Sequence, residues 1–451
     1  MLNKSFSVIF NNQIKNYKKS IYVDSDKSIS IRSFLIGAIS HGKTKIKNVL
    51  ESDDVFATIG CLRKLGVKIK KIKYKEYEVY GKGLGSLHCK KNTLLKFYNS
   101  GTLARLIVGI LSTTPGIDVR ITGDNSLKKR NMSKLIDLMN QFGAQFYPPK
   151  KKFLPLRLIS SALPVGITYE AGVSAQLKSA VMLAGANSFG TTTIFEKKKS
   201  RDHTENMLLN SSKIIKIQKG KKKIIQIFGK NYLKALDINV PGDCSAAAFF
   251  TALTLMSKNS ELTIKNVGFN STRRGFYELL KKNGAKIFFK NQKKVNNEKI
   301  SDIYIKSGKL KKPIIASSDL YERMPDEYPI LFCIAAFTNG ISKFNGIEDL
   351  ANKESNRIKE MQKILKQIGI KNKATRSQLK IFGKTNFKNE KKDIEVKNLG
   401  DHRICMSAAI VSLVTGVKAK IKNFETVNTS SPSFLKIIKY LGGKYEVKKK
   451  L

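Results

Sequence analysis

Tryptophan does not occur in this chain of 451 residues, and acidic side chains are scarce: 34 Asp and Glu stand against 84 Lys and Arg, a formal charge of +50. So basic a balance invites a nucleic-acid partner. The lysines, however, are spread over every segment, including runs at 150–152, 197–199, 221–223 and 448–450. Lys, Asn, Ile, Phe and Tyr abound while Trp is missing, the pattern an AT-rich coding sequence leaves on a solvated surface. The aromatic platforms that hold single strands are also lacking. No nucleic-acid partner is therefore expected, although part of the charge can attract anionic ligands at long range. The longest apolar run, Pro329 to Phe337, falls far short of a membrane span, so no membrane association is expected. No signal peptide precedes the first strand-like run, Phe6 to Phe10, and a cytoplasmic location is the corresponding expectation. The five cysteines, Cys61, Cys89, Cys244, Cys333 and Cys405, lie far apart with no C-x-x-C pair. That spacing argues against a zinc ribbon or a disulfide framework.

What is present is a repeat. A glycine that follows an amphipathic helix and precedes a strand recurs as Leu65-Gly66-Val67, Phe142-Gly143-Ala144, Asn283-Gly284-Ala285, Ile368-Gly369-Ile370 and Leu441-Gly442-Gly443. Glycine suits the residue after a helix because it accepts positive φ without steric cost. The spacing implies a module of about 75 residues used six times, with a blurred copy near Ser211-Ser212. A chain this long exceeds one ordinary core, and two or three domains are expected.

Several helix starts carry similar chemistry. Asp26-Lys27-Ser28-Ile29-Ser30-Ile31-Arg32 leads into Phe34, Leu35 and Ile39; Ser28 can cap the helix, with Lys27 and Arg32 near its positive end. Backbone N–H groups, a hydroxyl and two cations there suit a phosphate or carboxylate. Asn99-Ser100-Gly101-Thr102-Leu103-Ala104-Arg105 opens a second helix, where Gly101 admits a ligand close to the backbone. Lys128-Lys129-Arg130 precedes the next. Ser174-Ala175-Gln176-Leu177-Lys178 offers neutral hydrogen bonds that suit a polyol. Ser200-Arg201-Asp202-His203-Thr204-Glu205 places a His and a Glu two apart, off one helical face, so no metal is expected there. In the second half, Asp326 of Pro325-Asp326-Glu327 is placed to cap the run ending at Phe337. Asn352-Lys353-Glu354-Ser355-Asn356-Arg357 sets both charge signs on one turn, and Gly400-Asp401-His402-Arg403 opens the last long helix. Taken singly, each cluster reads equally well as a cap with solvated charges. Together they suggest that the glycine-closed helices carry cations and carboxylates at their opposite ends.

In order, the motifs Asp-Lys-Ser-x-Ser-x-Arg (26–32), Asn-Ser-Gly-Thr-x-x-Arg (99–105), Lys-Arg (129–130), Ser-Ala-Gln-x-Lys (174–178), Arg-x-His-x-Glu (201–205), Pro-Asp (325–326), Lys-Glu-Ser-x-Arg (353–357) and Asp-His-Arg (401–403) resemble the 3-phosphoshikimate 1-carboxyvinyltransferase (EPSP synthase) family. The resemblance spans roughly residues 20–435. Ser-Ala-Gln-x-Lys, Arg-x-His-x-Glu and Asn270-Ser271-Thr272-Arg273 look like its second class. The resemblance implies an α/β enolpyruvyl transferase fold: a two-domain inside-out α/β barrel, each domain three βαβαββ repeats, with helix N-termini facing a cleft that closes on substrates. One domain would be 22–239, binding mainly shikimate 3-phosphate. The other would be 1–21 plus 240–451, carrying Asp326, Glu354, Arg357 and Arg403. The chain would cross between them near Val23-Asp24 and Val240-Pro241.

Carried over position by position, the resemblance implies that Lys27, Ser28, Arg32, Ser174, Ala175, Gln176, Ser200, Arg201, Asp326 and Lys353 bind shikimate 3-phosphate. Lys27, Gly101, Arg130, Gln176, Arg357 and Arg403 would bind phosphoenolpyruvate. Glu354 would protonate C3 of phosphoenolpyruvate, and Asp326, helped by Lys27, would take the proton of the attacking 5-hydroxyl. A tetrahedral ketal would then lose phosphate. The resemblance implies no metal and no cofactor, since Arg and Lys neutralise the anions, and suggests a monomer. At ~4 Å and an effective dielectric of ~20, each such contact has a gross attraction of about 4 kcal/mol, much of it offset by desolvation. Ser25, Ile31, Asn131 and Asn356 depart from the family's usual residues without removing a direct ligand. Thr429 stands where the first class has a lysine, as in the second class, and the resemblance implies that Gly101 would leave room for glyphosate. Two alternatives predict different features. The sister enzyme acting on UDP-N-acetylglucosamine usually has a cysteine on the loop matching Gly123 to Arg130, which has none here. A basic nucleic-acid-binding array would leave Asp326 and Glu354 without purpose.

Overall fold

The computed structural model describes residues 5–211, 213–220, 222–384, 393–397 and 399–449. Among them are twelve α-helices: α1 (Lys27–Ile39), α2 (Asp53–Lys64), α3 (Gly101–Ser112), α4 (Ser133–Gln141), α5 (Ala175–Ala186), α6 (His203–Leu208), α7 (Cys244–Met256), α8 (Gly275–Lys282), α9 (Tyr328–Ala336), α10 (Arg357–Gln367), α11 (His402–Thr415) and α12 (Phe434–Tyr440). The described strands form six four-stranded sheets, each served by two helices.

One module shows the plan. Thr93–Lys96 leads through α3 to Asp118–Thr122, its parallel neighbour. The chain then passes through α4 to Gln145–Tyr147 and turns back as Leu156–Ile159, which inserts antiparallel between Asp118–Thr122 and Gln145–Tyr147. This is a βαβαββ unit, with the crossover helix that a parallel pair requires. The sheets containing Thr168–Ala171 and Ile315–Ala316 repeat it within continuous sequence. The other three borrow a strand. Asp237–Asn239 pairs in parallel with His41–Lys47, Lys18–Ile21 pairs in parallel with Glu261–Gly268, and Phe6–Phe10 lies between Ala419–Ile421 and Tyr445–Lys449.

The chain divides into two compact units: unit 2 is Ser25–Val240 with Lys294–Glu298, and unit 1 is Met1–Asp24, Pro241–Lys293 and Lys299–Leu451. The anticipated range 22–239 starts three residues earlier, stops one residue earlier and omits 294–298. Each unit has three sheets and its own apolar core. The first helix of each module is apolar on nearly all sides and lies inside its unit: α1, α3 and α5 in unit 2, and α7, α9 and α11 in unit 1. A helix with no polar face must be enclosed. At Gly109 a Cβ would lie 2.5 Å from the carbonyl oxygen of Ala180, so α3 and α5 meet backbone to backbone. The sheets wrap these helices with one face outward; along His41–Lys47, Thr44 and Ile46 are buried while Lys43, Lys45 and Lys47 are exposed. Helices inside and sheets outside are what the expected inside-out α/β barrel requires.

The second helices are amphipathic, as in α10, where Ile358, Met361, Ile364 and Leu365 are buried. Gly66, Gly143, Gly284, Gly369 and Gly442 follow α2, α4, α8, α10 and α12, and all five have positive φ. The blurred sixth copy falls after α6, whose neighbour Ser211 is described while Ser212 lies outside the described residues. One expectation needs correction here. Most charged clusters open the enclosed first helices, not the glycine-closed second ones; only those at Arg130 and at 353–357 precede helices ending in such a glycine.

No described helix is long and apolar enough to cross a membrane, and no group of His, Cys, Asp and Glu among the described residues could hold a metal ion.

Candidate active site

In unit 2 the start of α1 is capped by Asp26, whose carboxylate accepts from the Ile29 N–H at 2.8 Å. Ser28, expected as the cap, is instead the second residue of the helix. The cap must precede the first helical residue so that its oxygen can accept from the open N–H groups of the first turn that follows. Lys27 Nζ lies 3.2 Å from Asp54, in the first turn of α2. Arg32 is buried rather than solvated. Its Nε donates to Thr204 Oγ1 at 2.8 Å, Nη2 to Ser179 Oγ at 3.1 Å and Nη1 to the Ser28 carbonyl at 3.1 Å.

The enclosed helices α3 and α5 start side by side. Ser100 and Ser174 cap them, each accepting from an N–H three residues on at 3.3 Å. Gln176 Nε2 bridges to Thr102 Oγ1 at 3.1 Å. Two guanidinium heads crowd Gly101: a Cβ there would lie 2.8 Å from Arg130 Nη1 and 2.9 Å from Arg105 Nη1. Arg130 is steadied by Asn99 Oδ1 at 2.9 Å and Arg105 by the Gly101 carbonyl at 3.1 Å. Two cations beside a glycine without a side chain and two helix N-termini form an anion-seeking corner.

Behind this corner lies a buried ionic network that composition disguised. Lys178, with no exposed side-chain surface, sits 2.6 Å from Glu196 and 2.7 Å from Glu205. Lys223 lies 3.3 Å from Glu196 and 3.2 Å from Glu205. Ser200 is held by Glu196 through both its N–H and its hydroxyl, at 2.9 and 2.8 Å. Burial alone would push the Glu196 carboxyl up, but Lys178 and Lys223 outweigh it and hold Glu196 below the usual range. Lys223 therefore does not belong with the solvated runs to which 221–223 was assigned; Lys221, like Lys450 of the other run, lies outside the described residues. His203 and Glu205 have separate partners, with His203 Nδ1 at 2.8 Å from Glu298. Arg201 precedes α6, half-buried.

In unit 1 the pivot is Arg357, the first residue of α10, whose side chain is 1% exposed. Its Nη2 meets Glu354 at 2.6 Å, its Nε meets Asp401 at 3.0 Å, and its Nη1 lies 3.6 Å from Asp326. Burial alone would push the guanidinium down, yet the carboxylates of Asp401, Glu354 and Asp326 prevail and hold it above the usual arginine range. Asp401 is also the cap of α11, accepting from the Arg403 N–H at 2.9 Å, and Ser355 donates to it at 2.9 Å. Asp326, expected to cap α9, faces Arg357 instead; the cap position belongs to Glu327, whose side chain makes no capping bond. Lys353 pairs with Asp349 at 2.6 Å.

Arg403 is different. It is 4% exposed, its guanidinium lies 5.6 Å from the Phe249 ring centre, and its Nε and Nη1 have no hydrogen-bond partner among the described residues. A buried guanidinium with open donors is costly unless an anion completes it.

The start of α7 was not singled out from the sequence. Asp243 caps it, Arg273 Nη2 reaches Asp243 at 3.2 Å and Ser245 Oγ at 2.7 Å, and Ser245 donates to buried Glu327. Gly242-Asp243-Cys244-Ser245 has the same outline as Gly400-Asp401-His402-Arg403 and could have marked it. Cys61, Cys333 and Cys405 are not poised for chemistry, because burial raises their thiols.

Comparison with known proteins gives a consistent result. A family model described as EPSP synthase (3-phosphoshikimate 1-carboxyvinyltransferase) matches residues 11–438. The 3-phosphoshikimate 1-carboxyvinyltransferase of Bacillus subtilis is 36% identical over 434 residues, covering 96% of this chain and 99% of that protein. That of Paramagnetospirillum magneticum is 35% identical over 425 residues, covering 94% of each. The EPSP synthase structure from Acinetobacter baumannii superposes with a TM-score of 0.84 at 35% identity, covering 99% of this chain and 100% of that one. The enolpyruvyl transferase NikO from Streptomyces tendae, at 13% identity and a TM-score of 0.77 with full coverage of both chains, shares the fold.

Proposed function

The chain belongs to the EPSP synthase family, and from that premise we propose how its residues carry the reaction. The enzyme is a 3-phosphoshikimate 1-carboxyvinyltransferase of the shikimate pathway. It transfers the enolpyruvyl group of phosphoenolpyruvate to the 5-hydroxyl of shikimate 3-phosphate and releases phosphate. The observation that carries the assignment of roles is Arg403: a buried guanidinium with open donors suits the carboxylate or phosphate of phosphoenolpyruvate.

Unit 2 would bind mainly shikimate 3-phosphate, through Lys27, Ser28, Arg32, Ser174, Ala175, Gln176, Ser200 and Arg201. Gly101 and Arg130, together with Lys27 and Gln176, would meet phosphoenolpyruvate. Unit 1 would supply Arg357 and Arg403 to phosphoenolpyruvate, and Asp326 and Lys353 to the ring hydroxyls. Glu354 would deliver the proton to C3, which makes C2 cation-like, while Asp326 or Lys27 takes the 5-hydroxyl proton. In an ion pair the carboxylate is the deprotonated partner, so this role requires the 2.6 Å Glu354–Arg357 contact to loosen as substrate binds. The tetrahedral ketal then loses phosphate as the same groups act in reverse. The second-class assignment, a monomer and a cytoplasmic location complete the proposal, as does inhibition by glyphosate with a constant below the millimolar range.

Incubation with shikimate 3-phosphate and phosphoenolpyruvate, followed by phosphate release, tests the roles. Release is expected from the native chain and a loss of about 100-fold or more from Glu354→Gln. Equal rates for the two proteins would remove Glu354 from the mechanism.

A further inference from the structure

The short helix α6 places three consecutive buried side chains, His203, Thr204 and Glu205, about 100° apart around its axis. Each therefore addresses a different neighbour: His203 meets Glu298, Glu205 meets Lys178, and Thr204 meets Arg32. The Thr204 contact continues as a one-way chain of protons. Arg32 Nε donates to Thr204 Oγ1 at 2.8 Å, Thr204 donates to Ser179 Oγ at 2.8 Å, and Ser179 donates to the Ala175 carbonyl at 2.7 Å. Ser179 also accepts from Arg32 Nη2 at 3.1 Å. A hydroxyl has a single proton, so the direction of each bond fixes the next. Both hydroxyls consequently turn lone pairs toward one edge of the guanidinium. Two acceptors along that edge set the plane of a rigid fork, and neutral acceptors do so without cancelling its charge. The three side chains are almost wholly buried, where such bonds are strongest.

We propose that Thr204 and Ser179 are positioning residues for the transfer reaction: they hold Arg32 in the plane in which it meets an anionic group of shikimate 3-phosphate. The proposal rests on the role given to Arg32 above. His203 and Glu205 fix α6 on either side, so that Thr204 is itself held in place.

Steady-state kinetics of the full chain separate this role from a structural one. Thr204→Val keeps shape and removes the hydroxyl; it raises KM for shikimate 3-phosphate by about 10- to 100-fold, the span expected for a lost bond to a charged group. KM for phosphoenolpyruvate and kcat stay within about threefold, and Thr204→Ser restores native values. Ser179→Ala gives the same pattern and serves if Thr204→Val does not fold. An unchanged KM for shikimate 3-phosphate in either variant, or a matching decline in both substrates and kcat, overturns the proposal. Arg32→Gln is measured alongside. If it raises that KM while Thr204→Val and Ser179→Ala do not, positioning alone fails. If it leaves that KM unchanged, the role of Arg32 fails and the positioning proposal with it.

Discussion

Replacing Lys178 by Met is the most informative perturbation of stability in unit 2. The side chain has no exposed surface and lies between Glu196 and Glu205 at 2.6 and 2.7 Å. Met keeps most of the volume but takes the nearest cation from two buried carboxylates, which keep their contacts with Lys223 at 3.3 and 3.2 Å. Removing one partner from a buried ionic network costs about 3–5 kcal/mol, because the other charge is left uncompensated. For a unit of this size that corresponds to a drop of ~6–20 °C in the transition that includes unit 2. Urea unfolding followed by circular dichroism gives the free energy, and calorimetry gives the temperature. The double variant Lys178→Met/Glu205→Gln should lose less than the two single variants together, by roughly 0.5–3 kcal/mol, since the two groups interact directly. A loss below about 1 kcal/mol for Lys178→Met would place the pair with exposed salt bridges and refute the reasoning.

Arg403→Met should raise KM for phosphoenolpyruvate by about 10- to 100-fold without lowering the melting temperature of the ligand-free protein, because a buried charge with open donors is removed. A lower melting temperature with an unchanged KM would contradict it. Gly101→Ala would bring a methyl group within 3 Å of Arg130 and Arg105 and displace both heads by a few tenths of an ångström; a rise in KM for phosphoenolpyruvate of about three- to tenfold is expected, and no change would count against the corner as its site. Glu196 has a folded pKa below its ordinary value of 4.5, so its contribution is fully present above that value and is lost as pH falls through the folded pKa. Lys223 has a folded pKa above 10.5, so its contribution is present below that value and is lost as pH rises through the folded pKa. Unfolding measured from pH 3 to 12 should therefore show Glu196→Gln flattening the acid limb; an acid limb identical to the native one would refute this.

The modules were legible because a glycine after an amphipathic helix is a local signal, set by backbone conformation and by residues three and four apart. Gly66, Gly143, Gly284, Gly369 and Gly442 carry it without help from distant sequence. Which residue caps a helix was less legible. Asp26 and Ser28 are both good caps two positions apart, and Asp326 and Glu327 are adjacent, so the choice depends on where the first helical turn closes. The partners of the charged residues were not legible. Arg357 with Asp401 and Arg32 with Thr204 are brought together by packing of separate modules, Lys178 with Glu205 by packing of α5 and α6 within one module, and Lys223 looked like one more surface lysine. The shared outline of the α1, α7 and α11 starts, an Asp cap after a small residue, is visible in the sequence only once α7 is known to occupy the same place in its module.

The most direct test of the transferase assignment is phosphorus NMR of the native chain with shikimate 3-phosphate and phosphoenolpyruvate in one tube. The phosphoenolpyruvate resonance should fall as inorganic phosphate rises by the same amount, with the shikimate 3-phosphate signal moving to that of its 5-enolpyruvyl ether, and only when both substrates are present. Phosphate appearing from phosphoenolpyruvate alone, or two substrate signals unchanged after prolonged incubation with folded protein, would contradict it.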